Sequence, residues 1–431
     1  MQTTISFCRS LPLAGEFDVI VAGGGPSGCA AAVAASRLGA RVLLIEGTFM
    51  LGGMGTAGMV PAWCPFSDKE KIIYKGIAEE VFRASWTEIT HPDPNCYDWV
   101  PIDAEQLKFV YDEMTGKAGV NLLFGVQFAA VEMRDSRTVD AIITSSKQGL
   151  QAWRAKVYVD CTGDGDLAAR AGAGFELADK PQLATLCFLL SGVNSEAYRK
   201  GPWLHNHNPD SPIHKIVASD RYPLIRDPHF CQCLTAEGTV GFNAGHLDPV
   251  SSLSDASLSN AMRQGRKMAR EYLRALRTEC PDRFGHAELV ATASLPGIRE
   301  GRRIECEYRV TVDDYLARRS FPDEIGRNCY YIDVHGTPET EKIKRYERGE
   351  SHGIPYRCLV PRALDNVLVA GRSVSSDRYA NGSLRVMPVC LVTGQAAGTA
   401  AKLLADNGGT ARELDTGKLR AVLRENGAYF L

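Results

Sequence analysis

The chain has 431 residues, 45% of them hydrophobic and 23% charged, with a formal net charge of -2. This length exceeds what one hydrophobic core usually organises, so two subdomains are expected. The near-neutral charge argues against a broad nucleic-acid-binding face, and no apolar run reaches the ~18 residues that a membrane span needs.

Residues 1–16 read as a lead-in arm broken by Pro12 and Gly15. They hold no long apolar segment of secretory type, so the expected location is cytoplasmic. Residues 18–22 are a short apolar run suited to a strand buried on both faces. Gly23, Gly25 and Gly28 follow at once in G-x-G-x-x-G spacing. The first allows a tight turn, the second lets a pyrophosphate approach the backbone, and the third lets the next helix pack close to the strand. That helix, 27–38, is rich in alanine, and its free N–H groups form a positive end suited to phosphate. Residues 41–45 are the second strand. Glu46 ends it where a carboxylate accepts hydrogen bonds from ribose hydroxyls. A glycine turn alone is a weak signal. Strand, turn, helix, strand and terminal acid in this order specify a dinucleotide site.

A second glycine-rich loop, LGGMGTAGMV, follows at 51–60. Its apolar flanks point to backbone passing close to a ligand rather than to a flexible surface loop. Amphipathic helices are expected at 75–85 and 103–118, the second with Asp103 as N-cap and Gly119 as stop. Residues 120–124, 127–134, 140–145 and 152–160 read as strands. The last runs into CTGDGDLAARAG, a second strand–glycine–helix junction without the dinucleotide fingerprint. It places Thr162, Gly163 and Asp164 at the carboxyl end of a strand, where ligands bind in open α/β sheets.

From about residue 175 to 355 the pattern changes. Strand-like runs at 184–190 and 238–243 alternate with polar, proline-containing loops. A long helix at 254–278 carries many arginines, best explained by a solvated face. His205, His207 and His214 lie in a proline-rich stretch that reads as a loop rather than a metal site. Cys231 and Cys233, beside His229, read as incidental thiols. The 13 cysteines show no C-x-x-C pair and no zinc or iron–sulfur spacing, and read as free thiols of a reducing compartment. No metal is expected.

The C-terminal part returns to the first pattern. Residues 366–370 form a buried strand ending at Gly371 and Arg372. The stretch SVSSDRYANGSLR reads as a polar loop, and 386–404 as a small-residue helix with GQAAG at its centre, able to pack closely on a sheet. Its start is a second positive dipole end. The expected fold class is α/β. A Rossmann-like domain with a parallel sheet, made of 1–174 and 355–431, is split by an inserted mixed α+β substrate or cap domain, 175–354.

At this point the sequence resembles the FAD-dependent oxidoreductases of the glutathione-reductase superfamily, in the branch related to the fumarate reductase flavoproteins. The blocks that carry the resemblance span nearly the whole chain: FDVIVAGGGPSGCAAA, LIEGTFMLGGMGTAG, VDCTGDGDLAARAGAGFE, LPGIREGRRIECEYRVTVDDYL, YYIDVHG, IPYRCLVPRALDNVLVAGR and NGSLRVMPVCLVTGQAAGTAA. The resemblance implies FAD, noncovalently bound by default. Gly23, Gly25, Pro26, Ser27 and Gly28 would hold its pyrophosphate and Glu46 its adenosine ribose. Gly52, Gly53, Met54 and Thr56 would pass along phosphates and flavin. Val126 would meet the adenine through its backbone, with Thr162 and Gly163 closing that side. Gly371 would lie beside the ribityl chain. Many relatives follow that glycine with an aspartate, where this chain has Arg372. The backbone of Leu384, Arg385, Val386 and Met387 would lie at the pyrimidine edge of the flavin.

A single dinucleotide fingerprint implies that electrons enter or leave through a small substrate, a redox partner protein or oxygen. Hydride transfer at flavin N5 needs alignment and a group that moves a proton. His335 in YYIDVHG is the favoured candidate, with His352 before IPYR as the second. Arg299, Arg302, Arg303, Arg357 and Arg372 are candidates for carboxylate binding or proton donation. GIREGRR also reads as a helix with exposed charges. Tyr331 and Tyr356 are candidate orienting hydroxyls. His335 and Cys64 are the residues considered for a covalent flavin link. The expected function is hydride transfer between FAD and a small organic substrate. The alternatives are a flavin monooxygenase or an electron-transfer subunit of a redox complex. A homo-oligomer stays open.

Overall fold

The computed structural model describes residue 5, residues 7–337 and residues 343–431. The first strand, β1 (Leu13–Ala22), ends in four fully buried side chains, Val19 to Ala22. With both faces covered there is no solvent side to alternate with, hence the continuous apolar run. β1 starts earlier than that run suggests. Leu13, Gly15, Glu16 and Phe17 pair in parallel with residues 152–155. The expected arm of residues 1–16 therefore ends as strand, because pairing satisfies its backbone although several of its side chains stay exposed.

Helix α1 (Pro26–Arg37) follows the glycine turn, with proline in its first turn and its first ten residues buried. Next come β2 (Val42–Glu46), α2 (Ile77–Ala84) and α3 (Ala104–Ala118). Asp103 caps α3 by accepting the N–H groups of Glu105 and Gln106, and Gly119 stops it at a φ of 76°. Four more strands are β3 (Asn121–Phe124), β4 (Gln127–Met133), β5 (Val139–Ser146) and β6 (Gly149–Asp160), and a short helix, α4 (Asp166–Arg170), follows β6. Their sheet runs β3-β2-β1-β6-β5-β4. The β3, β2, β1 and β6 neighbours are parallel, and the β6, β5 and β4 neighbours antiparallel. The register sets Ala22 opposite both Ile45 and Asp160, so the carboxyl ends of β1, β2 and β6 share one edge.

A second, antiparallel sheet contains β7 (Phe188–Ser191), β8 (Phe230–Ala236), β9 (Thr239–Ala244) and β10 (Glu288–Thr292), in the order β8-β9-β7-β10. Helix α5 (Asp255–Glu279), capped by Ser254, lies against it. Tyr272 of α5 stacks on Phe188 and Phe230, while Arg263, Arg266, Arg270, Arg274 and Arg277 of the same helix are exposed. The run 184–190 is not all strand. Thr185 makes only an isolated bridge, to Gly297. GIREGRR is not a helix: Arg303–Ile304 pairs with Phe175–Glu176 as a short strand, and Arg299 and Arg303 are buried.

The chain then returns to the first sheet. β11 (Val367–Val369) pairs in parallel with Tyr158 to Asp160 and completes seven strands. The expected polar loop after it contains α6 (Arg378–Leu384), because the Asp377 carboxylate caps the Ala380 N–H at 2.7 Å. Helix α7 (Met387–Asn407) crosses α1 with backbone nearly touching backbone. A Cβ on Gly394 would overlap Ser27, and one on Gly398 would overlap Ala31. The fold is thus α/β with a mostly parallel sheet, and no helix among the described residues is long and apolar enough to cross a membrane.

Candidate active site

A cavity of about 550 Å³ opens along the shared carboxyl edge of the first sheet and continues towards the second. This is within the range of small-molecule sites. At one end it is lined by Gly23, Gly25, Pro26, Ser27 and Glu46. No side chain caps the start of α1, whose Ncap is Gly25, so this end of the helix presents backbone donors and its positive dipole to the cavity. Gly28 is out of the lining but governs the turn, because a Cβ there would overlap the Gly23 carbonyl oxygen. Glu46 is held by the turn it serves. Its Oε2 accepts the Gly24 N–H at 2.7 Å and its Oε1 the Thr48 N–H at 2.6 Å. Each oxygen keeps a further lone pair for a ligand hydroxyl.

Gly53, Met54, Val126, Thr162 and Gly163 also line the cavity. Gly52, Thr56, Gly371 and Leu384 do not: they stand behind the lining. Thr56 bonds back to the Leu51 carbonyl, Leu384 is fully buried, and a Cβ on Gly371 would lie 2.6 Å from Ser27 Oγ. Asp160 fastens the second junction. Its Oδ1 accepts from Thr162 N–H and Oγ1, and its Oδ2 from the Ala168 N–H. Burial pushes this carboxyl upward, against those hydrogen bonds.

Arg372 lines the middle of the cavity and pairs with a carboxylate that the sequence reading left without a role. Its Nη2 lies 3.0 Å from Asp164 Oδ1, while Nε donates to the Gly163 carbonyl and Nη1 to that of Ile298, both at 2.9 Å. A carboxylate thus stands beside Arg372, from the segment that follows β6 rather than from the position after Gly371.

At the far end the cavity is a chamber lined by Cys64, Arg299, Tyr330, Asp333, His335 and Arg385, beneath the start of α7 at Val386 and Met387. Asp333 Oδ2 accepts from Arg385 Nη2 at 2.9 Å and from Tyr330 Oη at 3.0 Å, and lies 3.1 Å from His335 Nε2. Burial works against ionisation of Asp333, but His335, Arg385 and Arg299 outweigh it and hold the carboxyl well below its usual range. Burial, then the Arg299 guanidinium, pushes His335 down to about 4, so it is neutral at pH 7.

Behind His335 stand two histidines that the sequence reading passed over. His246 Nε2 lies 2.8 Å from His335 Nδ1, and His229 stacks on His246 at 4.3 Å between ring centres. Among the described residues, ligand atoms of these three histidines lie within 4.8 Å of one another, the geometry of a metal cluster. Arg299 opposes that use: its Nη2 sits 3.2 Å from His229 Nε2, so a guanidinium occupies the lone pair a metal would need. Burial, then His335 and Arg299, keep His229 well below its ordinary value.

Other candidates lie elsewhere. Arg357 pairs with Asp323 and is half-exposed outside the cavity. His352 is buried against Tyr346 and pushed by burial down to about 3. Arg302 and Arg303 serve Asp166 and Glu300. Tyr356 donates to the Ala411 carbonyl, and Arg345 lies over the Tyr331 ring; the hydroxyl that reaches Asp333 is that of Tyr330. His205 stacks on Trp203, and His214 sits on a short helix, Pro212–Val217. His229 and His246 flank the β8–β9 hairpin, whose register sets Phe230 opposite Ala244; reading that hairpin is the one signal that could have paired them. Asp333, two residues before His335, is the one partner that local sequence offers.

A parallel sheet with an uncapped glycine-turn helix, a strand-end acid and a cavity along its carboxyl edge defines a dinucleotide-binding protein of Rossmann type. More particularly, the chain belongs to the FAD dependent oxidoreductase family, whose profile matches residues 18–423. It is an enzyme, and FAD is its cofactor. No curated protein matches it. Among solved structures it is similar to a geranylgeranyl bacteriochlorophyll reductase-like protein from Thermoplasma acidophilum, at 13% identity over 96% of this chain and 84% of that one, with a TM-score of 0.48. It is also similar to the myxobacterial chondrochloren halogenase CndH, at 13% identity over 96% and 79%, with a TM-score of 0.49. A third is CabE, an aromatic hydroxylase from angucycline biosynthesis, at 14% identity and a TM-score of 0.46, of which the chain spans 65%.

Proposed function

We propose that the protein transfers a hydride between its FAD and a small organic substrate held in the chamber of Asp333 and His335. The observation that carries this is one continuous cavity: it joins the uncapped start of α1, the start of α7 and the chamber. In this reading Gly23, Gly25, Pro26, Ser27 and Gly28 hold the pyrophosphate and Glu46 the ribose. Gly53, Met54, Val126, Thr162 and Gly163 border the nucleotide, with Gly52, Thr56 and Gly371 shaping the backbone behind them. Bound FAD would supply the hydride acceptor or donor. The positive end of α7 favours negative charge in front of Leu384, Arg385, Val386 and Met387. Asp333 and His335 face the substrate and manage its proton, and Arg385 keeps Asp333 ionised. Residues 1–174 and 355–431 carry the cofactor in this reading, and 175–354 cover the substrate.

The visible spectrum of the purified protein, before and after acid precipitation, tests it. Flavin bands that move to the supernatant, with FAD identified by mass, support a noncovalent FAD protein. Anaerobic bleaching by alcohols, amines or activated C–C compounds then finds the substrate class. No flavin, even after incubation with FAD, overturns the reading. Bleaching by a pyridine nucleotide alone, with oxygen needed for product, replaces it with a monooxygenase.

A further inference from the structure

We infer that Asp227, His246, His335 and Asp333 form a proton relay that connects the chamber to solvent. Four groups stand in line. Asp227 Oδ1 lies 3.0 Å from His246 Nδ1, His246 Nε2 lies 2.8 Å from His335 Nδ1, and His335 Nε2 lies 3.1 Å from Asp333 Oδ2. Asp333 and His335 line the cavity. Asp227 stands at the other end with 31% of its side chain exposed, against 13% for His246 and 14% for His335. Asp227 is fixed by the N–H groups of His229, at 2.9 Å, and His246, at 3.2 Å.

Counting protons gives the line its function. Two neutral imidazoles carry one N–H each, and both carboxylates are acceptors. Two N–H groups fill two of the three contacts, and one contact stays open. One additional proton closes it and makes one ring an imidazolium between two carboxylates. The line therefore alternates between an open and a closed state that differ by one proton. A proton entering beside Asp333 can leave beside Asp227 by successive short transfers, without either ring leaving its place.

The charges around the line support this alternation. His246 faces Asp227, His335 and the His229 ring. His335 faces Asp333, His246 and His229, with Arg299 and Arg385 nearby. Asp333 meets Arg385 and Tyr330. The two guanidiniums disfavour a proton resting on His335, the ring next to the chamber.

The relay rests on the proposed hydride transfer. As an alcohol or amine is oxidised, the C–H electron pair leaves as hydride to the cofactor. The O–H or N–H proton enters the line at Asp333, and a C=O or C=N bond remains. Reduction runs the same steps backwards.

The test is a titration of ring-15N-labelled histidine in the FAD-loaded protein between pH 3 and 9, a range that includes the value near 4 of His335. We expect the His246 and His335 rings to shift together, with one midpoint and a total uptake of one proton. D227N is expected to abolish the joint step, and so is H246Q, which keeps hydrogen bonding but cannot carry a proton. His352 and the flavin content should be unchanged in either variant that folds. Independent titration of the two rings in the wild type, or no titration of them in this range, overturns the relay without need of a variant. The flavin spectrum of the same sample reports separately on the cofactor reading.

Discussion

The two ends of the cavity are built in opposite ways. The nucleotide end is made of backbone. Turns at Gly23 to Gly28, a helix start and one strand-end carboxylate shape it, and all lie between residues 23 and 46. The chamber is made of side chains. Asp227, His229, His246, Arg299, Asp333, His335 and Arg385 come from a hairpin and three further stretches far apart in sequence. A backbone site tolerates little change in shape and carries little titratable charge. A side-chain site tolerates changes of shape but depends on protonation.

The sharpest way to break this contrast is at Gly28. Gly28→Val forces a side chain into the Gly23 carbonyl. Overpacking of this kind costs about 3 kcal/mol, so we expect loss of both bound flavin and folded yield, read by flavin absorbance and thermal unfolding. A Gly28→Val protein with full flavin content would refute the tight-turn account.

Acid should act on the other end. In the chamber His335 is held neutral, near 4, and outside the cavity His352 is held neutral, near 3, whereas an unfolded histidine binds a proton near 6.5. Below about 6.5 the unfolded chain therefore binds more protons than the folded one, and stability falls as pH drops towards 4 and 3. No such loss operates above about 7. A loss of a few kcal/mol is expected, and amide hydrogen exchange at pH 5 should show opening around the chamber before the first sheet. Opening of the sheet first would invert the contrast.

At Glu46 the two modes meet, since a side chain serves the backbone turn. Glu46→Gln removes a charged hydrogen-bond acceptor worth roughly 1.5 kcal/mol. FAD affinity should weaken by about tenfold in a fluorescence titration, with the absorption bands unshifted. The smallest effect is expected at Arg357, a half-exposed partner of Asp323 outside the cavity. Arg357→Ala should cost less than about 1 kcal/mol and leave flavin content and substrate bleaching unchanged. A large kinetic effect would return Arg357 to the site.

The same contrast explains what the sequence could show. β1, α1, β2 and Glu46 were legible because each depends on neighbours a few residues away. The start of β1 at Leu13 was not, because only pairing with β6 makes residues 13–16 a strand. Helix α6 was hidden inside a stretch rich in serine, where the Asp377 cap decides the outcome. His335 was legible as a candidate, but its partners were not. His246 and Asp227 flank the β8–β9 hairpin, which brings them together, and tertiary packing then sets them against His335. GIREGRR, with its row of charges, resembled a solvated helix until the fold supplied buried acceptors for Arg299 and Arg303.

The crossing of α1 and α7 has a consequence of its own. Main chain rests on main chain at Gly394 and Gly398, so the two helices are seated like the jaws of a fixed gauge. The spacing between their forward tips is set without any side chain that selection could adjust by degrees. In the proposed reading, a cofactor that reaches from one tip to the other meets a fixed spacing.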